Sequence, residues 1–179
     1  VTSTETSYDY LYKIVLIGDS KVGKSGILRR YIKNSFDEKS LPTIGVEFST
    51  KIVEIEGKNV KVQIWDTAGL EKYASITKAH YRKAAGAVIV FDIANKSSFD
   101  NIGKHIDSIL ECEPDCKILI VGNKTDLEQD REVIPEILEQ CASTFGASHI
   151  EVSAKDGNNI DKAFQELVSR IMFETKGKD

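Results

Sequence analysis

Residues 11–17, 86–93 and 117–123 are short runs in which apolar residues crowd together without strict alternation. Each gives way to a stretch with helical spacing: Lys24 to Lys33 after the first, 97–111 after the second, 132–144 after the third. A strand apolar at consecutive positions is buried on both faces, so these strands belong to a mostly parallel sheet with helices on both sides. The run 148–154, followed by a helical pattern over 158–174, repeats the unit. In the first helix Ile27, Leu28, Tyr31 and Ile32 share one stripe, the face turned to the sheet. Only 46–65 switches to period two. There Val60, Val62 and Ile64 point one way and Lys61, Gln63 and Trp65 the other, with Glu56-Gly57-Lys58-Asn59 as the turn before them. The pattern predicts an α/β domain with a six-stranded, mostly parallel sheet, one antiparallel edge hairpin and about five flanking helices.

A chain of 179 residues makes one such domain, large enough to need no disulfide or metal staple. Its net charge of −4 and pI near 5.5 argue against binding of a phosphate backbone, which needs a concentrated basic face. No apolar run approaches the roughly 18 residues of a membrane span. Cys112, Cys116 and Cys141 are sparse and odd in number, which suggests a reducing, cytoplasmic setting. Cys112 and Cys116 have half the spacing of a zinc site, but no second Cys/His pair matches them. Residues 1–7 are polar and read as a disordered leader or a trimmed end.

Parallel sheets bind ligands at the carboxyl ends of their strands, and the unusual loops of this chain all follow strands. Gly18-Asp-Ser20-Lys21-Val22-Gly23-Lys24-Ser25 joins the first strand to the first helix, which continues with Gly26. Glycines there let the backbone wrap a phosphate, and successive N–H groups with the helix N-terminus supply positive potential. Lys24 would reach the β/γ-phosphates, and the Ser25 hydroxyl would ligate Mg²⁺. Trp65-Asp66-Thr67-Ala68-Gly69 closes a strand, so the Asp66 carboxylate could hold Mg²⁺ through water. Thr43, between helix and hairpin, is a candidate second hydroxyl for the ion, which spacing alone does not establish.

Asn123-Lys124-Thr125-Asp126 follows the strand 117–122 directly. A carboxylate at Asp126 can accept from guanine N1–H and N2–H, a donor pair that adenine lacks, while the Lys124 stem can cover one face of the base. Ser153-Ala154-Lys155, after the next strand, could close the pocket with a backbone N–H on guanine O6. Either segment alone reads equally well as a polar surface loop. Together, in order and each at a strand end, they select guanine.

These motifs resemble the small GTPases of the Ras superfamily, and in particular its Rab family. The resemblance runs over about residues 8–174, a P-loop small G domain, and rests on GDSKVGKS, PTIGVEF at 42–48, VQIWDTAG at 62–69, GNKTD and SAK. It implies a GTP/GDP switch that requires Mg²⁺. By the same resemblance Thr43 is the threonine that senses the γ-phosphate through Mg²⁺, with Gly69 beside it. Phe36 becomes the aromatic against the guanine, although its position reads as well as a helix-end anchor. Ile44, Phe48, Trp65, Tyr73 and His80 form the implied partner-binding patch for effectors, exchange factor, GTPase-activating protein and GDP-dissociation inhibitor. The segments YDYLYKIVLIGDS, STKIV and EKYASIT are similar to the subgroup that serves recycling endosomes, on the cytoplasmic face of endomembranes.

Several positions depart from the family pattern. Leu70 stands where the family carries a Gln that orients the attacking water, and Leu offers neither donor nor acceptor. The chain is therefore expected to bind GTP and hydrolyse it slowly, whether Leu70 is natural or replaces a Gln. Lys21 replaces a Gly at the loop tip and reads as a surface lysine. His80 takes the place of an aromatic, either within the partner patch or as an exposed helix residue. The family's prenylated cysteines are not found after Cys141, so 175–179 reads as the start of a truncated tail, without the lipid anchor. Two other readings compete: a GTP-binding module without turnover, and a P-loop kinase acting on a metabolite. The second needs a lid with arginines, but the stretch 68–83 holds only Arg82.

Overall fold

A computed structural model describes residues 7–34, 47–66 and 74–176. The expected leader, apart from Ser7, lies outside the described residues. So do Phe36, Thr43, Ile44, Gly69, Leu70, Tyr73 and the last three residues of the expected tail.

Six strands form one sheet in the order β2-β3-β1-β4-β5-β6. They are β1 (Tyr10–Gly18), β2 (Glu47–Ile55), β3 (Lys58–Asp66), β4 (Gly86–Asp92), β5 (Lys117–Asn123) and β6 (Ser148–Glu151). All neighbours are parallel except β2 and β3, whose register pairs Phe48 with Trp65 and Val53 with Val60. The hairpin turns on Glu56 (φ 48°) and Gly57 (φ 77°), the two consecutive left-handed residues that a tight two-residue turn demands. Val60, Val62 and Ile64 are fully buried, as their alternation requires.

The consecutive apolar positions of β1, β4 and β5 feed two separate cores. Ile14, Leu16, Val88, Val90, Leu119 and Val121 point to one face, where they meet α1 (Lys24–Lys33) and α6 (Ile160–Lys176). Val15, Ile17, Ile89, Phe91, Ile118 and Ile120 point to the other, covered by α4 (Ile102–Cys112) and α5 (Pro135–Phe145). The first helix buries Ile27, Leu28 and Tyr31, with Ile32 packed partly against them.

Three expected element bounds need correction. The single helix expected over 97–111 is two, α3 (Lys96–Asp100) and α4, which meet at Asn101, the C-cap of the first and the N-cap of the second. With α2 (Ala74–Tyr81) the described residues hold six α-helices, in keeping with the expected number of about five. The last strand ends at Glu151, not 154, because the Val152 carbonyl accepts from Thr125 N–H and the chain then closes a turn through Gly157 N–H to Ser153 O. That turn belongs to the site. The last helix, expected over 158–174, is Ile160–Lys176. Among the described residues no helix is long and apolar enough to cross a membrane.

Candidate functional site

The sheet reverses its winding between β1 and β4, and the loops after β1, β4 and β5 and the turn after β6 meet at that carboxyl edge. The loop after β1 ends in Gly23, which has φ 98° and is the N-cap of α1. No side chain caps this helix and no acidic residue sits in its first turn, so its N-terminal dipole is left for an anion. Gly23 is required twice. Its φ is left-handed, and a Cβ there would collide with the Asn123 amide.

Lys24 is buried, and its ammonium donates to the carbonyls of Gly18 and Asp19, spanning the mouth of the loop. Ser25 Oγ donates to Asp66 Oδ2 at 2.7 Å, so the two expected Mg²⁺ ligands are neighbours across α1 and β3. Asp66 is fully buried at the end of its strand. Among the described residues no group of three or more His, Cys, Asp or Glu is gathered to cage a metal. A hydroxyl beside one carboxylate fits Mg²⁺, which keeps most of its shell as water and phosphate oxygen. Ser20 and Lys21 are exposed at the loop tip and Val22 is buried beneath it. Lys21 has φ 70°, so the expected surface lysine is also a left-handed turn residue.

Asn123 joins three loops. Its Nδ2 donates to Val22 O at 2.9 Å, and its Oδ1 accepts from Ala154 N–H at 3.2 Å. Lys124, itself left-handed (φ 72°), extends across the edge to Lys21 O at 2.8 Å and to Asp92 Oδ2 at 3.0 Å. Asp126 is exposed and aligned by the Ser153 hydroxyl, which donates to its Oδ1 at 2.9 Å. Ser153 Oγ in turn accepts from Asp156 N–H at 3.0 Å. The phosphate loop, 123–126 and 153–155 are thus brought together and cross-braced by their own side chains.

Sequence reasoning missed the supports of this edge. Asp19, inside the phosphate loop, accepts from Asn101 Nδ2 at 2.6 Å and pairs with His105 Nε2 at 2.9 Å. Asp92, the last residue of β4, holds Lys124, and its place at a strand end was the available signal. Arg131 clamps the turn after β5: it bridges Glu151 at 2.7 Å and Glu128 at 2.7 Å, and those hydrogen bonds hold its guanidinium pKa above the ordinary value.

Of the residues expected in the partner patch, Phe48, Trp65 and His80 are described and lie together. Phe48 is half exposed and stacks on Trp65 with ring centroids 5.1 Å apart, while His80 meets Trp65 edge-on at 5.2 Å. His80 is buried, so the alternative of an exposed helix residue is overturned: the end of α2 packs its ring under Trp65. Lys13 Nζ lies 4.2 Å from the centre of the Trp65 ring, and desolvation there lowers the lysine's pKa.

This arrangement has clear relatives. The Ras family profile matches residues 13–173. GTP-binding protein ypt3 of Schizosaccharomyces pombe is 48% identical over 168 residues, 93% of this chain and 78% of its own. Ras-related protein RABA2d of Arabidopsis thaliana is 47% identical over 168 residues, 93% and 77% of the two chains. Ras-related protein Rab-11B of Dictyostelium discoideum is 50% identical over 167 residues, 93% and 76%. The chain therefore belongs to the Ras family and is a Rab-type small GTPase.

Proposed function

We propose that this GTPase is a molecular switch of vesicle trafficking that binds Mg²⁺·GTP at the cross-braced edge and hydrolyses it slowly. The observation that carries the reading is the three-way junction at Asn123, which ties a phosphate loop to two base-reading loops. Such a junction suits a ligand with a base at one end and phosphates at the other. Lys24 and the α1 N-terminus hold the phosphates, Ser25 and Asp66 hold Mg²⁺, and Asp126 reads the guanine edge. When bound, Mg²⁺ offsets charge on the β/γ-phosphate oxygens.

Thr43 and Gly69 respond to the γ-phosphate, and the face with Phe48 and Trp65 recruits effectors. Exchange factor, GTPase-activating protein and GDP-dissociation inhibitor meet the same segments. Leu70 cannot orient water, so intrinsic turnover is low while binding is retained. The place of action is the cytoplasmic face of endomembranes, in the recycling-endosome subgroup, a reading supported by likeness to the segments named above.

Two measurements test this. Nucleotide released by denaturing the purified protein is expected to be GTP; GDP would mean that turnover persists, and an adenine nucleotide would refute the guanine reading. Single-turnover phosphate release is expected to be faster in Leu70→Gln than in the parent chain. Equal rates would sink the account of Leu70.

A further inference from the structure

Arg30 lies a turn and a half beyond the phosphate-binding end of α1, on the flank that meets the turn after β6. Its Nε donates to Ala154 O at 2.8 Å and its Nη2 to Lys155 O at 2.5 Å. Two consecutive carbonyls of the base-reading loop are thus held by one planar fork, a geometry that guanidinium supplies and ammonium does not. Contacts to Asn34 at the end of the same helix are longer, 3.4 Å to both its backbone and its side-chain oxygen. The Arg30 stem passes Gly157, where φ 83° turns the chain back.

No peptide bond among the described residues is cis, so each N–H points opposite to the carbonyl of its own peptide unit. Fixing Lys155 O towards Arg30 turns Asp156 N–H the other way, and it donates to Ser153 Oγ at 3.0 Å. Ser153 Oγ then donates to Asp126 Oδ1. Fixing Ala154 O in the same way turns Lys155 N–H away from Arg30. We propose that Arg30 is a positioning residue for guanine recognition: it sets the direction of the Lys155 N–H towards the base oxygen and, through Asp156 and Ser153, the orientation of the Asp126 carboxylate. It couples the helix that carries the phosphates to the loop that reads the base. The proposal rests on the guanine-nucleotide reading above.

The test compares dissociation of GDP with that of 6-thio-GDP, in which sulfur, a poor acceptor, replaces the base oxygen. Measured on the whole chain, Arg30→Ala is expected to speed GDP release on the order of tenfold, the scale of one lost hydrogen bond. Release of 6-thio-GDP, which keeps the N1–H and N2–H that Asp126 reads, should quicken only by the share that passes through Asp126, so the preference for GDP shrinks; Arg30→Lys, with one point donor, should fall between. A merely structural role would accelerate both nucleotides alike, and that result, or unchanged release of both, would overturn the proposal. If Arg30→Ala fails to fold, Arg30→Lys decides by the same ratio. A parent chain that holds ADP as tightly as GDP would instead sink the guanine reading itself, and the proposal with it.

Discussion

The Asn123 side chain uses both ends of its amide, one on Val22 O and one on Ala154 N–H, with the residue buried at the close of β5. Removing it strands a carbonyl and an N–H where water has poor access, at about 1–3 kcal/mol for each group left unsatisfied. Asn123→Ala is therefore expected to lower unfolding stability by about 1–3 kcal/mol, since part of the cost relaxes, and to speed nucleotide release. Urea unfolding read beside nucleotide dissociation checks this, and a variant as stable as the parent chain would show that the junction is not structural. Residues of this kind were legible because motif spacing and strand ends marked them. Lys24, Ser25, Asp66, Asn123 and Asp126 all sit at β-strand ends or helix starts where their chemistry is local. Arg30 and Asp19 were not legible, because their partners stand 124 and 82 to 86 positions away and no periodicity encodes such pairings.

Among the elements, α3 and α4 share one continuous amphipathic pattern, which reads as a single helix. Apolar spacing runs across Asn101 undisturbed, and both segments pack on the same face of the sheet. They meet at Asn101, whose side chain donates to Asp19 in the loop after β1, while His105 one turn on takes the other carboxylate oxygen. The start of α4 is thus pinned to the loop proposed to hold the phosphates. Asp19→Ala is expected to cost about 1.5–3 kcal/mol, the range for losing a hydrogen bond to a charged group. Amide exchange should quicken in the first turn of α4 and in residues 19–23, with α5 unchanged. Uniform exchange across both helices would mean that the tether is not local.

For the whole molecule, the sheet separates two cores, and each contains an acid whose charged form burial disfavours. Tyr31, on the α1 side, stacks against Phe164 at 4.1 Å, and desolvation, with Asp161 adding to it, raises its pKa. Cys116, on the α4 side at the entry to β5, is pushed up to about 12 by burial, with Glu113 reinforcing the shift and Lys117 opposing it. Below the ordinary thiol value of 9.0 the folded and unfolded chains both keep this proton, and the thiol adds no pH dependence. As pH rises from 9.0 towards about 12, the unfolded chain releases the proton while the folded chain retains it, so stability falls with rising pH across that window. Tyr31 acts in the same direction from the ordinary tyrosine value of 10.0 upward. Urea midpoints taken at stepped alkaline pH should therefore decline, and Cys116→Ala should decline less steeply than the parent chain, whatever its stability at neutral pH. Because the thiol is held protonated, it should also resist alkylation at around pH 8 until the chain unfolds. Parallel declines in the two proteins, together with ready alkylation of Cys116 in the native state, would show that this core opens to water well below the global transition.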